Sequence, residues 1–322
     1  MFGFALRVMF RKDSRLAGST AAVSAVAAGL ILLLAAARGL ELSFSITPTL
    51  LAIALLTALH LVRLRHEKDG GDIRLAASVR CVSALSVGGL SGALLCLVGQ
   101  TFARPLIDPL LHQGDLMLGV DVRSLIDATI SVPGLAPLLA AAYQSSFPLL
   151  FGTALYHAWT GKAGRAYELC GIFNVCLLIV AICSAVIPAA GAFHHLSIPS
   201  SLLSALPAGS GTYHLEDLFA LREARSFVVD PSHLQGVATF PSFHTALALM
   251  TAAAWRDFPR ARIAMYFWQA LVLASTIPIG GHYVVDLFFG AGVWFLVFRA
   301  WQWRVRNAPT ETWSPQSRPG FV

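Results

Sequence analysis

Eight long apolar stretches dominate this sequence and leave few folds open to it. Each is near or above the roughly 17 to 25 residues that a helix needs to cross a bilayer. They cover residues 17–37, 46–62, 75–98, 135–159, 167–190, 239–255, 263–279 and 283–301. Because 56% of the 322 residues are hydrophobic and only 12% are charged, the composition fits neither a soluble globule nor a disordered chain. The sequence therefore predicts an all-α fold, a polytopic membrane helical bundle with about eight transmembrane helices.

The basic residues predict how this bundle is oriented, since cytoplasmic loops near helix ends are enriched in Lys and Arg. If the N-terminus lies inside, 18 of the 23 basic residues fall on the cytoplasmic side and 5 fall outside. The net charge of +6 is thus mainly a sign of topology, and no nucleic-acid partner is expected. We expect a multi-pass protein of the cell membrane with both termini in the cytoplasm. A basic head before the first apolar run also fits a cleaved signal peptide, and this alternative stays open.

The order of polar and apolar segments predicts three parts. Residues 1–66 form a cytoplasmic segment with two accessory transmembrane helices, residues 67–306 form the membrane core, and residues 307–322 form a disordered cytoplasmic tail. Within the core, Gly88 and Gly92 stand four residues apart, a spacing that allows close approach of membrane helices.

Two outer loops interrupt the predicted core. Residues 103–134 are expected to form short amphipathic pieces on the outer surface, with Asp115 and Asp121 as solvated acids. Residues 191–238 form the longest polar segment, and a connection of that length is usually functional or disordered.

Side chains suited to phosphate chemistry gather at the outer ends of the last three predicted helices. His244 follows Ser242 and Phe243 at the start of the sixth. His282 and Asp286 share one face of the eighth, where a carboxylate can hold the imidazole by one nitrogen and leave the other free. Free N–H groups and the positive dipole at helix starts predict a seat for phosphate. The two histidines can face each other across one pocket, one as nucleophile and the other as proton donor.

The segments 240–244 and 280–286 resemble motifs of the type-2 phosphatidic acid phosphatase superfamily, the membrane relatives of vanadium haloperoxidases. The residues that match its second and third motifs are Pro241, Ser242 and His244, then Ser275, His282 and Asp286. The resemblance implies a six-helix core and catalysis without a metal or other cofactor. It also implies that His282 attacks phosphorus, Asp286 orients His282, and His244 protonates the leaving group, so that a phosphohistidine intermediate forms.

The sequence departs from the family pattern where the family has cations. Thr276 replaces the third-motif arginine, and no first motif of the form Lys-x6-Arg-Pro is present. We expect Arg222 and Arg225 to supply the missing charge, because charge-assisted contacts to phosphate are strong. These arginines can equally pair with Asp217 and Glu223 in a loop helix. The full set of predicted phosphate-binding residues is Ser242, Phe243, Gly280, Gly281, Arg222 and Arg225.

These motifs are most similar to the inositolphosphorylceramide synthase-like branch, the inositolphosphotransferases, which move a phospho-headgroup from one lipid to another alcohol. The resemblance implies a lipid phosphatase or headgroup transferase at the extracytoplasmic face. Its substrate would be a phospholipid or isoprenyl phosphate, with an alcohol or lipid as acceptor in transfer. Two alternatives stay open. His282 and Asp286 can form a metal site with His194, His195 or His214, or a transporter or lipid-binding protein can use the histidines for proton coupling or recognition.

Overall fold

The computed structural model describes residues 2–68, 71–231, 236–237 and 239–307. These residues form fourteen helices and one pair of short parallel strands, which confirms the all-α helical bundle. In chain order the elements are α1 (Phe2–Arg38), β1 (Glu41–Phe44), α2 (Ile46–Lys68), α3 (Ile73–Gln100), α4 (Asp108–Met117), α5 (Val122–Ser131), α6 (Leu135–Gln144), α7 (Ser146–Trp159), α8 (Ala163–Val186), α9 (Ala192–His195), α10 (Ser200–Leu203), α11 (Leu215–Glu223), β2 (Ser226–Val229), α12 (Phe243–Ala254), α13 (Pro259–Ser275) and α14 (Val284–Arg306). Residues 308–322, nearly all of the predicted tail, lie outside the described residues.

Five helices within the described residues are long and apolar enough to cross a membrane. They are Gly18–Arg38, Ile46–Glu67, Ile73–Gln100, Ala163–Val186 and Val284–Arg306. They correspond to the first, second, third, fifth and eighth predicted spans. The helices α5 and α6 pass the same test only as a pair bent by 113°, which is the geometry of a broken span or a re-entrant loop.

The fourth predicted span is not one helix, and the expectation of a single helix over residues 135–159 is wrong. The chain breaks at Ser145, between α6 and α7. The hydroxyls of Ser145 and Ser146 donate to carbonyls three residues earlier, at 2.7 and 2.6 Å. Pro148 has no N–H to donate to the Gln144 carbonyl, so the helical ladder is interrupted where the serines offer other donors.

The sixth and seventh predicted spans are shorter than the sequence suggested. Helix α12 has 12 residues and α13 has 17, about 18 and 26 Å at 1.5 Å per residue, against a hydrocarbon core of about 30 Å. Helix α12 begins at Phe243 rather than at residue 239, because Ser242 caps it. Pro259 starts α13, a position where its missing N–H costs nothing.

Helices α3 and α8 pack closely at the centre of the bundle, with α7, α12 and α14 around α8. A Cβ at Gly88 would lie 1.8 Å from Oδ1 of Asn174, and one at Gly92 would lie 2.5 Å from Cγ of Leu177. The close helix approach predicted from these two glycines is therefore confirmed. Helices α12 and α14 pack against α8 and also against each other.

Candidate active site

The starts of α12 and α14 bring the two motif histidines to one cavity. His244 is the second residue of α12, and His282 lies two residues before α14. Both side chains line a cavity of about 780 Å³. Their ring centroids are 6.5 Å apart, with the ring planes inclined by 62°. The two histidines thus face one pocket, as the sequence suggested, and a phosphoryl group between them would contact both.

Asp286 holds His282 by one ring nitrogen. Its Oδ2 lies 3.2 Å from Nδ1 of His282 and also accepts the Tyr283 N–H at 3.1 Å. Asp286 is fully buried and His282 is 3% exposed. Because an ionised carboxylate only accepts hydrogen bonds, Nδ1 of His282 carries the proton and Nε2 keeps its lone pair. No described residue hydrogen-bonds to Nε2, so this nitrogen is available to attack an electrophile in the cavity.

Ser242 shapes the start of α12. Its hydroxyl accepts hydrogen bonds from the N–H and the hydroxyl of Thr245 at 3.3 and 3.1 Å, the geometry of an N-cap. Its own N–H donates to the Asp286 carbonyl at 3.3 Å, which ties the two motif segments together. Gly290 permits this contact, since a Cβ there would lie 2.2 Å from the Ser242 carbonyl oxygen. Ser242 is fully buried and is not part of the cavity wall, whereas Phe243 is.

Gly280 and Gly281 build the tight turn that precedes α14. Their N–H groups donate to the carbonyls of Ser275 and Ile277 at 3.3 and 3.0 Å. Gly281 has a φ of +73°, and a Cβ there would lie 2.8 Å from Cα of Gly211. Gly280 lines the cavity, but Gly281 does not. The two N–H groups expected near the phosphate are therefore already engaged within the turn.

An aromatic residue outside both motifs positions the second histidine. The Tyr143 ring stacks on His244, with centroids 4.0 Å apart and planes inclined by 22°. The Tyr143 hydroxyl lies 3.3 Å from that of Tyr213, and the Phe147 ring meets His244 edge-on at 6.1 Å. The stacking fixes the orientation of the His244 imidazole at the cavity wall. Nothing in the sequence marks Tyr143 for this position.

A buried carboxylate of α4 holds the segment that carries His282. Asp115 accepts the N–H groups of Val284 and Val285 at 3.0 and 2.9 Å, and so caps α14 from another helix. Burial raises the pKa of Asp115, while the two N–H bonds act in the opposite direction. The expectation that Asp115 is a solvated acid is wrong, because its side chain is fully buried. Asp121 is exposed, as expected, and caps α5.

Asp108 lies seven residues before Asp115, on the same buried face of α4. Its carboxylate accepts the N–H groups of Ala190 and Gly191 at 2.9 and 2.8 Å. It also accepts the Tyr283 hydroxyl at 3.1 Å. Helix α4 therefore joins the segment after α8 to the start of α14. The seven-residue spacing of the two aspartates is the sequence signal that indicates a shared face.

The two predicted phosphate-binding arginines do not line the cavity. Nη2 of Arg222 donates to the Arg104 carbonyl at 2.7 Å, and the Arg225 carbonyl accepts the Glu41 N–H at 3.3 Å. Within the described part of the chain, the cavity wall contains no Lys or Arg. Thr276, in the position of the family arginine, is fully buried and donates within its own helical turn. The hydroxyl, amide and imidazole side chains that line the cavity among the described residues belong to Ser86, Gln144, Ser210, Thr239, Tyr143, Tyr213, His244 and His282.

The histidines considered as metal ligands have other neighbours. His194 packs on the Phe219 ring at 4.8 Å and His195 on the His112 ring at 5.5 Å. Nε2 of His214 donates to a main-chain carbonyl at 2.8 Å. Across the described ranges, no group of three or more His, Cys, Asp or Glu side chains is placed to hold a metal ion.

The segment that carries these histidines matches a known family. The family model described as PAP2 superfamily matches residues 110–300, more than half of the chain. That range contains His244, His282 and Asp286 and begins after α3. No curated protein and no solved structure gives a significant match to the chain. On the strength of the family match, the chain belongs to the PAP2 superfamily.

Proposed function

We propose that the protein is a membrane-embedded lipid phosphatase or phospho-headgroup transferase that acts through a phosphohistidine. Membership of the superfamily suggests phosphatase or phosphotransferase activity on lipid-like substrates. One observation carries the finer proposal. His282, which is hydrogen-bonded to Asp286, lines the same cavity as His244, and the ring centroids of the two histidines are 6.5 Å apart.

The proposed reaction has two steps. Nε2 of His282 attacks phosphorus, the bond from phosphorus to the leaving oxygen breaks, and His244 as imidazolium gives that oxygen its proton. Asp286 keeps Nδ1–H of His282 oriented and stabilises the positive charge that develops on the ring. In the second step, water or an alcohol loses a proton to His244, attacks phosphorus and releases His282.

The nature of the acceptor separates hydrolysis from transfer. Thr276 in the position of the family arginine supports the inositolphosphorylceramide synthase-like branch, whose members transfer a headgroup. The substrate we propose is a phospholipid or isoprenyl phosphate, with a lipid or other alcohol as acceptor. The distribution of basic residues supports a reaction at the extracytoplasmic face.

Substitution of the two histidines tests the chemistry. Purified protein in EDTA should release phosphate from phosphatidic acid or an isoprenyl phosphate, or form a new phosphodiester when an alcohol is added. We expect His282→Ala to reduce turnover to background and His244→Ala to reduce it by about 10²- to 10⁴-fold. The exposed His60 of α2 provides the control, since His60→Ala should keep full activity. Unchanged turnover in both active-site variants would refute the mechanism.

A better leaving group separates the roles of the two histidines. Nitrophenolate leaves without a proton, so His244→Ala should slow the turnover of nitrophenyl phosphate much less than that of a lipid phosphate. His282→Ala should reduce turnover of both substrates to the same extent. Radiolabelled substrate quenched in alkali should leave acid-labile label on wild-type protein and none on His282→Ala; label retained in that variant would exclude this residue as the nucleophile.

A further inference from the structure

The cavity extends beyond the matched family segment into the helices that precede it. Its wall there includes Ala52, Leu55 and Leu56 of α2 and Gly89, Leu90 and Ala93 of α3. We call this region the N-terminal arm of the cavity. All six residues precede residue 110, where the family match begins. Two helices outside the matched segment thus complete a cavity whose histidine end lies inside it.

The N-terminal arm is long and apolar. The α3 residues that line the cavity run from Ser86 to Cys96, which is about 15 Å along a helix. The described lining residues include no Asp, Glu, Lys or Arg. Apolar walls of this length suit a hydrocarbon chain, because burial of apolar surface away from water is favourable. A small polar phosphate ester would contact only the histidine end.

Gly89 keeps the arm open on the α3 side. A Cβ at Gly89 would meet no atom within 4 Å. At Gly88 and Gly92, by contrast, a Cβ would collide with Asn174 and Leu177 of α8. Helix packing therefore requires glycine at 88 and 92 but not at 89. The space beside Gly89 belongs to the cavity, so a side chain introduced there would fill the arm without straining the fold.

We propose that the N-terminal arm binds the hydrocarbon chain of the lipid phosphate substrate and that Gly89 sets the chain length that it accepts. The proposal rests on the proposed function, which places the phosphate between His244 and His282. The cavity is continuous from these histidines to Gly89, so one molecule can occupy both ends. Each methylene that is buried in the arm should improve kcat/KM by about fourfold.

Kinetics on butyl and hexadecyl phosphate test the role of Gly89. In wild-type protein we expect a much higher kcat/KM for hexadecyl phosphate. Gly89→Leu should lower kcat/KM for the long substrate about tenfold or more and leave butyl phosphate within about twofold. Gly152→Leu in α7 is the matched control, because a Cβ there also meets no atom within 4 Å but the residue does not line the cavity. Equal chain-length profiles in wild type and Gly89→Leu would overturn the proposal.

Photocrosslinking tests the arm without turnover. Hexadecyl phosphate with a diazirine at the end of its chain should label peptides of α2 or α3 in wild-type protein, and Gly89→Leu should reduce this labelling. Labelling confined to other helices, or unaffected by Gly89→Leu, would refute the arm. If no phosphate ester is turned over but α2 or α3 is labelled, the proposed reaction fails while the arm stands.

Discussion

At the scale of single residues, a third histidine close to the site is held in one tautomer. His214 is 1% exposed, and its Nε2 lies 2.8 Å from the Ala190 carbonyl oxygen, so Nε2 carries the hydrogen. Nδ1 is buried with no hydrogen-bond partner among the described residues. Burial lowers the pKa of His214 below its ordinary 6.5, and the neighbouring His282 adds to the effect, while the bond to Ala190 opposes it. The folded protein therefore favours neutral His214.

This shift predicts a loss of stability in mild acid. The unfolded chain protonates His214 near pH 6.5, so its contribution to stability is present above that pH and is lost as pH falls toward the lower folded pKa. Gln at position 214 can still donate to Ala190 but does not titrate. Between pH 7.5 and 5.5, Tm in detergent should fall less for His214→Gln than for wild type. The exposed His60→Gln should behave as wild type, and an equal fall in all three proteins would contradict the prediction.

At the scale of elements, the first turn of α14 depends on α4. The N–H groups of Tyr283, Val284 and Val285 would otherwise lack partners at the helix start. Asp286 accepts the first of them, and Asp115 accepts the other two. Helix α4 therefore fixes the direction in which α14 begins, and with it the position of the motif histidine just before α14.

Asp115→Asn should loosen this contact. The amide has one acceptor oxygen in place of two, so one helix N–H loses its partner at a cost of about 1 to 3 kcal/mol in the free energy of unfolding. We expect a lower Tm and, well below that Tm, roughly tenfold lower kcat with little change in KM. Asp121→Asn is the matched control, because Asp121 also caps a helix with two N–H bonds but is exposed and belongs to α5. Normal kcat in Asp115→Asn would show that the contact is only structural.

At the scale of the whole molecule, a cluster of charged and polar side chains lies at the opposite end of the bundle from the histidines. Glu168 accepts hydrogen bonds from Arg165, Arg256 and Gln302 at 3.0, 2.8 and 2.9 Å. These contacts join the start of α8 to the C-terminal ends of α12 and α14. His244 and Arg256 are twelve residues apart, about 18 Å along the helix direction. The cluster coincides with the side that the basic residues predict to be cytoplasmic.

Cysteine labelling tests this orientation. Ser204, in the loop beside the histidine end, and Thr160, between α7 and α8, are both exposed. An impermeant maleimide should label Ser204→Cys in intact cells and Thr160→Cys only after permeabilisation. Four of the native cysteines are buried and Cys183 is half-buried, so the unsubstituted protein supplies the background. The reverse pattern would place the candidate site on the cytoplasmic side.

The features that the sequence determined by itself depend on near neighbours along the chain. The all-α membrane bundle follows from apolar stretches of spanning length, because hydropathy acts on each segment separately. The contact between His282 and Asp286 is also local, although the two residues do not share a helix face: His282 precedes α14, and the Asp286 side chain reaches back past the N-cap Tyr283. The break at Ser145 also has a local cause, because Pro148 lacks an N–H. The prediction of one helix over residues 135–159 considered only the length of the apolar stretch.

Only the tertiary structure decided which distant residues complete the site. Asp115 binds an N–H group 169 positions away, and Tyr143 stacks on His244, which is 101 positions away. Arg222 was expected at the phosphate but donates to a carbonyl 118 positions earlier. Gly89 has open space where a Cβ would lie, whereas a Cβ at Gly88 or Gly92 would collide with α8. The neighbouring residues in the sequence do not distinguish an exposed aspartate from a buried one that caps a helix. They also do not distinguish a glycine packed against another helix from one beside open space. Their difference lies in which helices become neighbours, and that is set by the packing of the whole bundle.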